Sequence, residues 1–372
     1  MNMSKLVKAF IFSFSIFCFL FSGIYFVFAQ GGIKISPIRI EEIIKPGDII
    51  QKSVKVTNLS SYKTTLYPYR KDFKAAGEAG YPELLSPGSD IHGCGSWIKI
   101  SEEGIPFEPG EEREVVFTIE VPQDIGPGGY YGALMFGTVP PEARLKGKGE
   151  ERGAAITVGQ QTGSLILLKV FGKTVEEAMV REFSTDKDVY SIPFKINFIT
   201  RIENLGNVHI KPQGSIEIRN MLNRKVGVVK FNEAGANILP NSIRRFETNW
   251  EGNIGFGKYT ALITLSFGTF TSEGGQGRQT IYAQTSFWII PWKIIIPSVL
   301  ALIFTGSLFL LFLRVYKNKA VEKVLREAGL MRARYIRKYE GPSPTLHLVL
   351  IIILVLVIFA IIAGTIFFLF FA

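Results

Sequence analysis

Gly129-Tyr130-Tyr131-Gly132-Ala133-Leu134 and Gly257-Lys258-Tyr259-Thr260-Ala261-Leu262 are two copies of one pattern, Gly-x-Tyr-x-Ala-Leu, set 128 residues apart. Each stands in the same company. Pro109-Gly110 leads into Arg113–Glu120 and a Gly-rich turn before the first copy, and Pro240-Asn241 leads into Arg244–Glu251 and a Gly-rich turn before the second. Upstream, Lys55-Val56-Thr57-Asn58-Leu59 parallels Arg201-Ile202-Glu203-Asn204-Leu205, each an apolar-alternating run ending in an Asn turn. A long internal repeat of this kind predicts two copies of one domain.

The runs between turns are β-like. Ile33–Ile38, Ile49–Thr57, Tyr62–Tyr69, Glu114–Val121, Tyr130–Val139 and Ile156–Phe171 make up the first half. Phe194–Ile202, Ser215–Arg219, Val226–Phe231, Arg244–Trp250, Tyr259–Phe267 and Ile281–Trp288 make up the second. They are short, bounded by Gly and Pro, and lack helical period. The prediction is an all-β ectodomain of two tandem immunoglobulin-like antiparallel β-sandwiches, residues 30–173 and 174–290, with six or seven strands each. In such sandwiches a tyrosine opening the sixth strand bonds backbone at the sheet corner, two residues before the position that is cysteine in antibody domains. Ala133 and Ala261 hold that later position, so Tyr131 and Tyr259 are predicted to be structural corner residues.

Hydrophobic residues make up 47% of the 372 residues, and the excess collects in residues 9–29, 294–313 and 346–371. Each run is about the length of apolar helix that spans hydrocarbon. The first, behind Lys5 and Lys8 and ending Val27-Phe28-Ala29, reads as a signal peptide over 1–29 with cleavage after Ala29, or, given its length, as an uncleaved anchor. The others predict two C-terminal transmembrane helices, 291–314 and 346–371, joined by a basic linker helix over 315–345. Trp288 and Trp292 are placed as interfacial anchors.

The net charge of +10 is a topology signal. Residues 30–291 carry 30 Lys and Arg against 29 Asp and Glu, whereas 314–345 carry nine against three. Basic residues between hydrophobic spans mark the cytoplasmic side, so the ectodomain is expected outside the cell membrane and no nucleic-acid partner is implied.

Reactive residue types are sparse. His92, His209 and His347 are too scattered for a triad or a zinc site. His92-Gly93-Cys94-Gly95-Ser96 pairs a thiol with a base, but without a third group at motif spacing it reads as a structural loop. Asp186-Lys187-Asp188 lacks the rest of a calcium loop, and Gly274-Gly275-Gln276-Gly277 lacks the helix of a phosphate loop. Asn58-Leu59-Ser60 is a single glycosylation sequon. No enzyme, metal or cofactor is predicted. The candidate contact surface is Tyr67–Leu85, where Tyr69, Arg70, Asp72, Phe73 and Tyr81 put aromatic rings beside hydrogen-bonding groups that suit a glycan or a peptide; the plain alternative is a solvated loop on its own sandwich.

Lys45-Pro46-Gly47-Asp48 leading into Ser53–Asn58, Phe107-Glu108-Pro109-Gly110 leading into Val115–Val121, Gly128–Phe136 and the Gln160–Phe171 strand together resemble the WxL-interacting protein family of Gram-positive cell surfaces, over residues 33–172. The resemblance implies an export signal, two immunoglobulin-like domains and a membrane span. It also implies a non-enzymatic binding protein whose first domain takes peptidoglycan and whose second takes another surface protein. The alternative is a membrane assembly or sensing component acting through its helices and basic linker.

Overall fold

The computed structural model describes residues 32–140, 159–270, 275–327 and 357–358. The signal peptide, most of the basic linker and all but two residues of the third apolar run lie outside these. The backbone divides into two compact units. One comprises the chain up to Phe73, Leu84–Gly126 and Tyr130–Val170; the other comprises Lys74–Glu83, Pro127–Gly129 and the chain from Phe171 onward.

The strands of the first half are β1 (Ile33–Ser36), β2 (Arg39–Ile44), β3 (Ile49–Asn58), β4 (Thr64–Ala76), β5 (Tyr81–Leu85), β6 (Ile98–Lys99), β7 (Ile105–Phe107), β8 (Glu112–Glu120), β9 (Gly128–Gly137) and β10 (Gln161–Val170). They form one sheet in the order β1-β3-β8-β6 and another in the order β2-β10-β9-β4-β5, with β7 on β4. The second half contains β11 (Ala178–Thr185), β12 (Val189–Tyr190), β13 (Phe194–Asn204), β14 (Gln213–Arg219), β15 (Lys225–Phe231), β16 (Ser242–Gly252), β17 (Gly257–Phe267) and β18 (Gln279–Ile289). Its sheets run β11-β13-β16 and β12-β18-β17-β14-β15. Removing β6 and β7 from the first half leaves the same order in both, which is an immunoglobulin-like arrangement.

One sheet in each half is mixed, and this corrects the purely antiparallel expectation. β1 pairs antiparallel with β3, but the chain then crosses to the other sheet, where β2 lies parallel to β10. Likewise β12 lies parallel to β18. The cause is geometric: a first strand shared between two sheets meets the second strand head to tail and the last strand in the same direction.

Alternation builds both cores. Along β13, Phe194, Ile196, Phe198, Ile202 and the polar Thr200 and Asn204 are buried while the residues between them are only partly covered or exposed. β17 does the same with Tyr259, Ala261, Ile263, Leu265 and Phe267. In the first half the core-facing set on β9 is Tyr130, Leu134 and Phe136. The structural counterpart of Tyr259 is therefore Tyr130, one residue away from the sequence alignment. Side chains alternate faces along a strand, so this one-residue slip moves Tyr131 to the opposite face.

The Asn turns are one device used twice. Asn58 Oδ1 accepts from Ser60 N–H (3.0 Å), and its Nδ2 donates to the carbonyls of Tyr62 (3.0 Å) and Glu108 (3.2 Å). Asn204 Oδ1 accepts from Gly206 N–H (2.9 Å), and its Nδ2 donates to the carbonyls of Val208 (2.8 Å) and Ile238 (2.9 Å). Each thus bonds two and four residues ahead, and reaches across to the segment leading into β8 or β16. Both side chains are buried, so the Asn58 sequon points into the protein. Asn204→Ala is expected to cost about 2–3 kcal/mol, because the buried Gly206 N–H and Val208 carbonyl each lose a bond and the Ile238 carbonyl is left with that from Ile210 N–H. Urea unfolding of the full chain reads this as a lowered midpoint; an unchanged midpoint would refute it.

After β18 only Ile290 and Pro291 intervene before α1 (Trp292–Glu327). Its residues Trp292–Val324 have mean hydropathy 2.5 in their most apolar 18-residue window, none of which is buried. By length and composition this helix can cross a membrane. It runs without a break past Arg314, Lys317 and Lys319, so the first part of the predicted linker helix is a continuation of the apolar helix. Of the two C-terminal apolar helices expected, the first is seen among the described residues; the second falls outside them but for residues 357–358.

Candidate binding surface

β4 pairs with β9 from Tyr67 opposite Gly137 as far as Asp72 opposite Gly132. At the next residue of β9, Tyr131, Gly93 takes over the place beside the strand. Tyr131 N–H donates to His92 O (2.8 Å) and Cys94 N–H donates to Tyr131 O (3.2 Å). Beyond this fork β4 runs on to Ala76 and returns as β5, so most of the candidate contact stretch Tyr67–Leu85 is a β-hairpin with its turn at residues 77–80.

Asp72 sits at the fork and is fully buried. One carboxyl oxygen accepts from Gly88 N–H and the other from Gly95 N–H, both at 2.7 Å. This ties the strap of residues 86–97 to β4 through a pair 16 and 23 residues away. The glycines of His92-Gly93-Cys94-Gly95 are explained by the same contact: a Cβ on Gly93 would lie 2.2 Å from the Asp72 carboxyl, and one on Gly95 2.7 Å from Lys71 O.

Cys94 enters the core of the first sandwich, where its Sγ lies 2.8 Å from the place a Gly132 Cβ would take. Gly132 in the first half and Ala261 in the second are thus two packings of one site, one completed by a thiol. Burial pushes the Cys94 thiol well above its ordinary range, and the charge of Asp72 adds to this. Buried in this way the thiol is closed to solvent, in keeping with the structural reading of the His92–Ser96 loop. Peptide-resolved iodoacetamide labelling of the native full chain is expected to leave Cys94 unmodified and to modify it after unfolding in guanidinium. Rapid native labelling would refute this.

The residues predicted as contacts separate by burial. Tyr81 is 72% exposed. Arg70 is half-buried, donating to Ile98 O (3.0 Å) and facing Glu102 at 3.5 Å. Tyr69 and Phe73 are buried; the Tyr69 hydroxyl donates to Gln161 Oε1 (2.6 Å), and the Phe73 ring meets Tyr131 edge-on at 5.8 Å. Tyr69, Asp72 and Phe73 are therefore committed to holding the strands and are not presented at the surface.

The corner tyrosines act on the turn before their strand. Tyr130 donates its hydroxyl hydrogen to Gly126 O (3.0 Å), and the Tyr259 hydroxyl accepts from Phe256 N–H (3.2 Å). Burial raises both phenols above their ordinary range. Asp186, from the acidic triplet, accepts from the Tyr190 hydroxyl (2.7 Å) and Asn197 N–H (2.9 Å), a closure of the β11–β13 turn. Among the described residues no group of three or more His, Cys, Asp or Glu is arranged to hold a metal ion.

No protein-family model matches the chain, and no curated protein matches it. Solved structures do. The class 5 fimbriae chaperone CfaA is 18% identical with a TM-score of 0.32, covering 67% of this chain and 98% of that one. The CupB2 chaperone of Pseudomonas aeruginosa is 10% identical with a TM-score of 0.32, covering 67% and 98%. The CsuC–CsuE chaperone-tip adhesion subunit pre-assembly complex of Acinetobacter baumannii is 11% identical with a TM-score of 0.31, covering 67% and 97%. These are likenesses at low identity, and nothing about this chain's ligand follows from them. The resemblance to WxL-interacting proteins rests on the residues quoted for it.

Proposed function

We propose that the chain is a non-enzymatic, membrane-anchored binding or scaffold protein, whose first sandwich faces cell-wall glycan or a wall-associated protein and whose helix α1 spans the cell membrane. The observation that carries this reading is the apolar helix that begins two residues after the last strand of the second sandwich. Its exposed side chains include Val299, Leu300, Ile303, Phe304 and Leu310. Such a surface is unfavourable in water at about 25 cal/mol per Å² and neutral in hydrocarbon. The sandwiches support a binding role because the residues with reactive side chains, Asp72 and Cys94 above all, are committed to the fold. The cell-wall ligand comes from the family resemblance, and Tyr81 is the exposed member of the proposed contact set.

The test is sedimentation of the full chain, reconstituted in lipid nanodiscs, with insoluble peptidoglycan. Retention above empty nanodiscs, reduced by Tyr81→Ala at unchanged thermal stability, is expected. Retention equal to empty nanodiscs would overturn the glycan reading. Alkaline carbonate extraction of cell membranes tests the anchor separately: the protein should stay with the membrane pellet, and its release would overturn the span.

A further inference from the structure

Topology brings four chain segments to the end of the second sandwich from which α1 leaves. β18 finishes at Ile289, opposite Gly257 at the start of β17. β14 finishes with Arg219 opposite Thr260, which carries the β14–β15 turn to the same end; a Cβ on Gly257 would lie 2.5 Å from Met221 Cε. The β16–β17 loop packs there too, since a Cβ on Gly255 would lie 3.1 Å from Ile289. β12 runs alongside, with Val189 opposite Trp288 and Lys258 on the other flank of that tryptophan.

This end is apolar where turns are ordinarily polar. Leu222 is 52% exposed and Ile254 58%, and Val189, Met221, Trp288 and Trp292 are exposed with them. The turn that presents Leu222 is built, not loose: Asn220 Oδ1 accepts from both Leu222 N–H and Arg224 N–H at 3.0 Å. Basic side chains of Arg224, Lys258 and Lys293 stand among the apolar ones. Tryptophan, aliphatic tips and lysine or arginine together are the composition of a protein surface at the lipid headgroup level. The surface is also continuous with α1, whose first residue follows Ile289 by three positions, and Ile290 N–H is itself held by Tyr190 O at 2.8 Å.

We infer that this end of the second sandwich is seated on the lipid bilayer, with Leu222 and Ile254 inserted to the acyl boundary and the basic residues on anionic headgroups. The inference rests on the reading of α1 as a membrane span and adds to it a second, shallow lipid contact made by the folded domain. The seating orients the sandwich on the bilayer at three points, the β14–β15 turn, the β16–β17 loop and the start of α1.

The experiment uses the full chain in a Cys18→Ser background, reconstituted in phosphatidylcholine vesicles containing phosphatidylglycerol, with buried Cys94 left in place. An environment-sensitive fluorophore is attached in separate variants at Leu222→Cys, Ile254→Cys, Leu302→Cys on α1, and Glu233→Cys at the opposite end of the sandwich. Labels at 222 and 254 are expected to be quenched about twofold or more by lipids carrying a nitroxide near the headgroup, and shielded from aqueous iodide relative to 233. If 302 is quenched by a nitroxide deep in the acyl chain while 222 and 254 respond to iodide as 233 does, the seating is refuted with the anchor intact. If 302 also responds to iodide, the anchor is refuted and the seating falls with it.

Discussion

Asp72→Ala is expected to destabilise the first sandwich by about 4 kcal/mol, since it removes a buried acceptor of two N–H bonds and leaves both donors unpaired. The bonds to Gly88 and Gly95, at 2.7 Å each, hold a strap that local sequence does not fold. Without them the Gly93 pairing to Tyr131 loses its backing, and Cys94 should become reactive to iodoacetamide in buffer that leaves the wild-type thiol untouched. Asp72→Asn keeps the shape but turns an amino group toward one of the two N–H donors, so it should lose roughly half as much. Urea unfolding and thiol labelling on the same samples check this. A loss in Asp72→Ala of under about 0.5 kcal/mol, a size ordinary for surface changes, would mean the strap is held by something else.

Phe287→Ala should cost the second sandwich a similar amount, about 4 kcal/mol. Phe287 is buried and meets four rings: Tyr190 edge-on at 5.9 Å, Phe198 at 5.9 Å, Trp250 at 6.3 Å, and Tyr259 stacked at 5.8 Å with an interplanar angle of 8°. Truncation removes a ring's worth of buried area and opens a void that four rigid aromatics close poorly. Phe287→Leu retains most of the volume and should cost about 1–2 kcal/mol. The unfolding midpoint and the emission of Trp250 report the change. Equal midpoints for Phe287→Ala and the wild type would show that the ring is not the hub its contacts describe.

The repeat was legible because the second sandwich keeps three devices of the first: the Asn turn, the tyrosine corner and the apolar alternation. The register of the two tyrosine patterns was not, because Tyr130-Tyr131 offers two adjacent candidates. Only the burial of Leu134 and Phe136 on the same side as Tyr130 decides between them. Short or charged edge strands escaped for a related reason. β11 carries Arg181 and Glu182 and buries only Phe183, and β12 has two residues, so neither shows an alternation strong enough to read. The parallel pairings are a property of where a strand crosses between sheets, which no local pattern encodes.

At the candidate site, residue types grouped side chains that the fold separates by burial. Aromatic and charged groups around Tyr67–Leu85 read as one exposed cluster, yet Asp72 faces inward to a strap whose glycines lie about twenty residues further on. A steric need for Gly93 and Gly95 is visible only once the carboxyl they enclose is placed. The thiol showed the same dependence. The sequence reads Cys94 and His92 as part of a structural loop, and the fold shows what the thiol does there: it fills the space that Gly132 leaves.

The two-residue junction between β18 and α1 sets how the protein can search. A flexible linker lets a domain sweep a volume that grows with linker length, and so meet targets at many heights. Two residues extend over at most about 7 Å, and here one of them is hydrogen-bonded to the sheet. With α1 as the membrane span proposed above, the second sandwich moves with its helix: it spins about the membrane normal and drifts in the plane, but it cannot cast outward. Its encounters are those of a post carried by lateral diffusion, and their rate should follow the fluidity of the membrane more closely than the length of any loop.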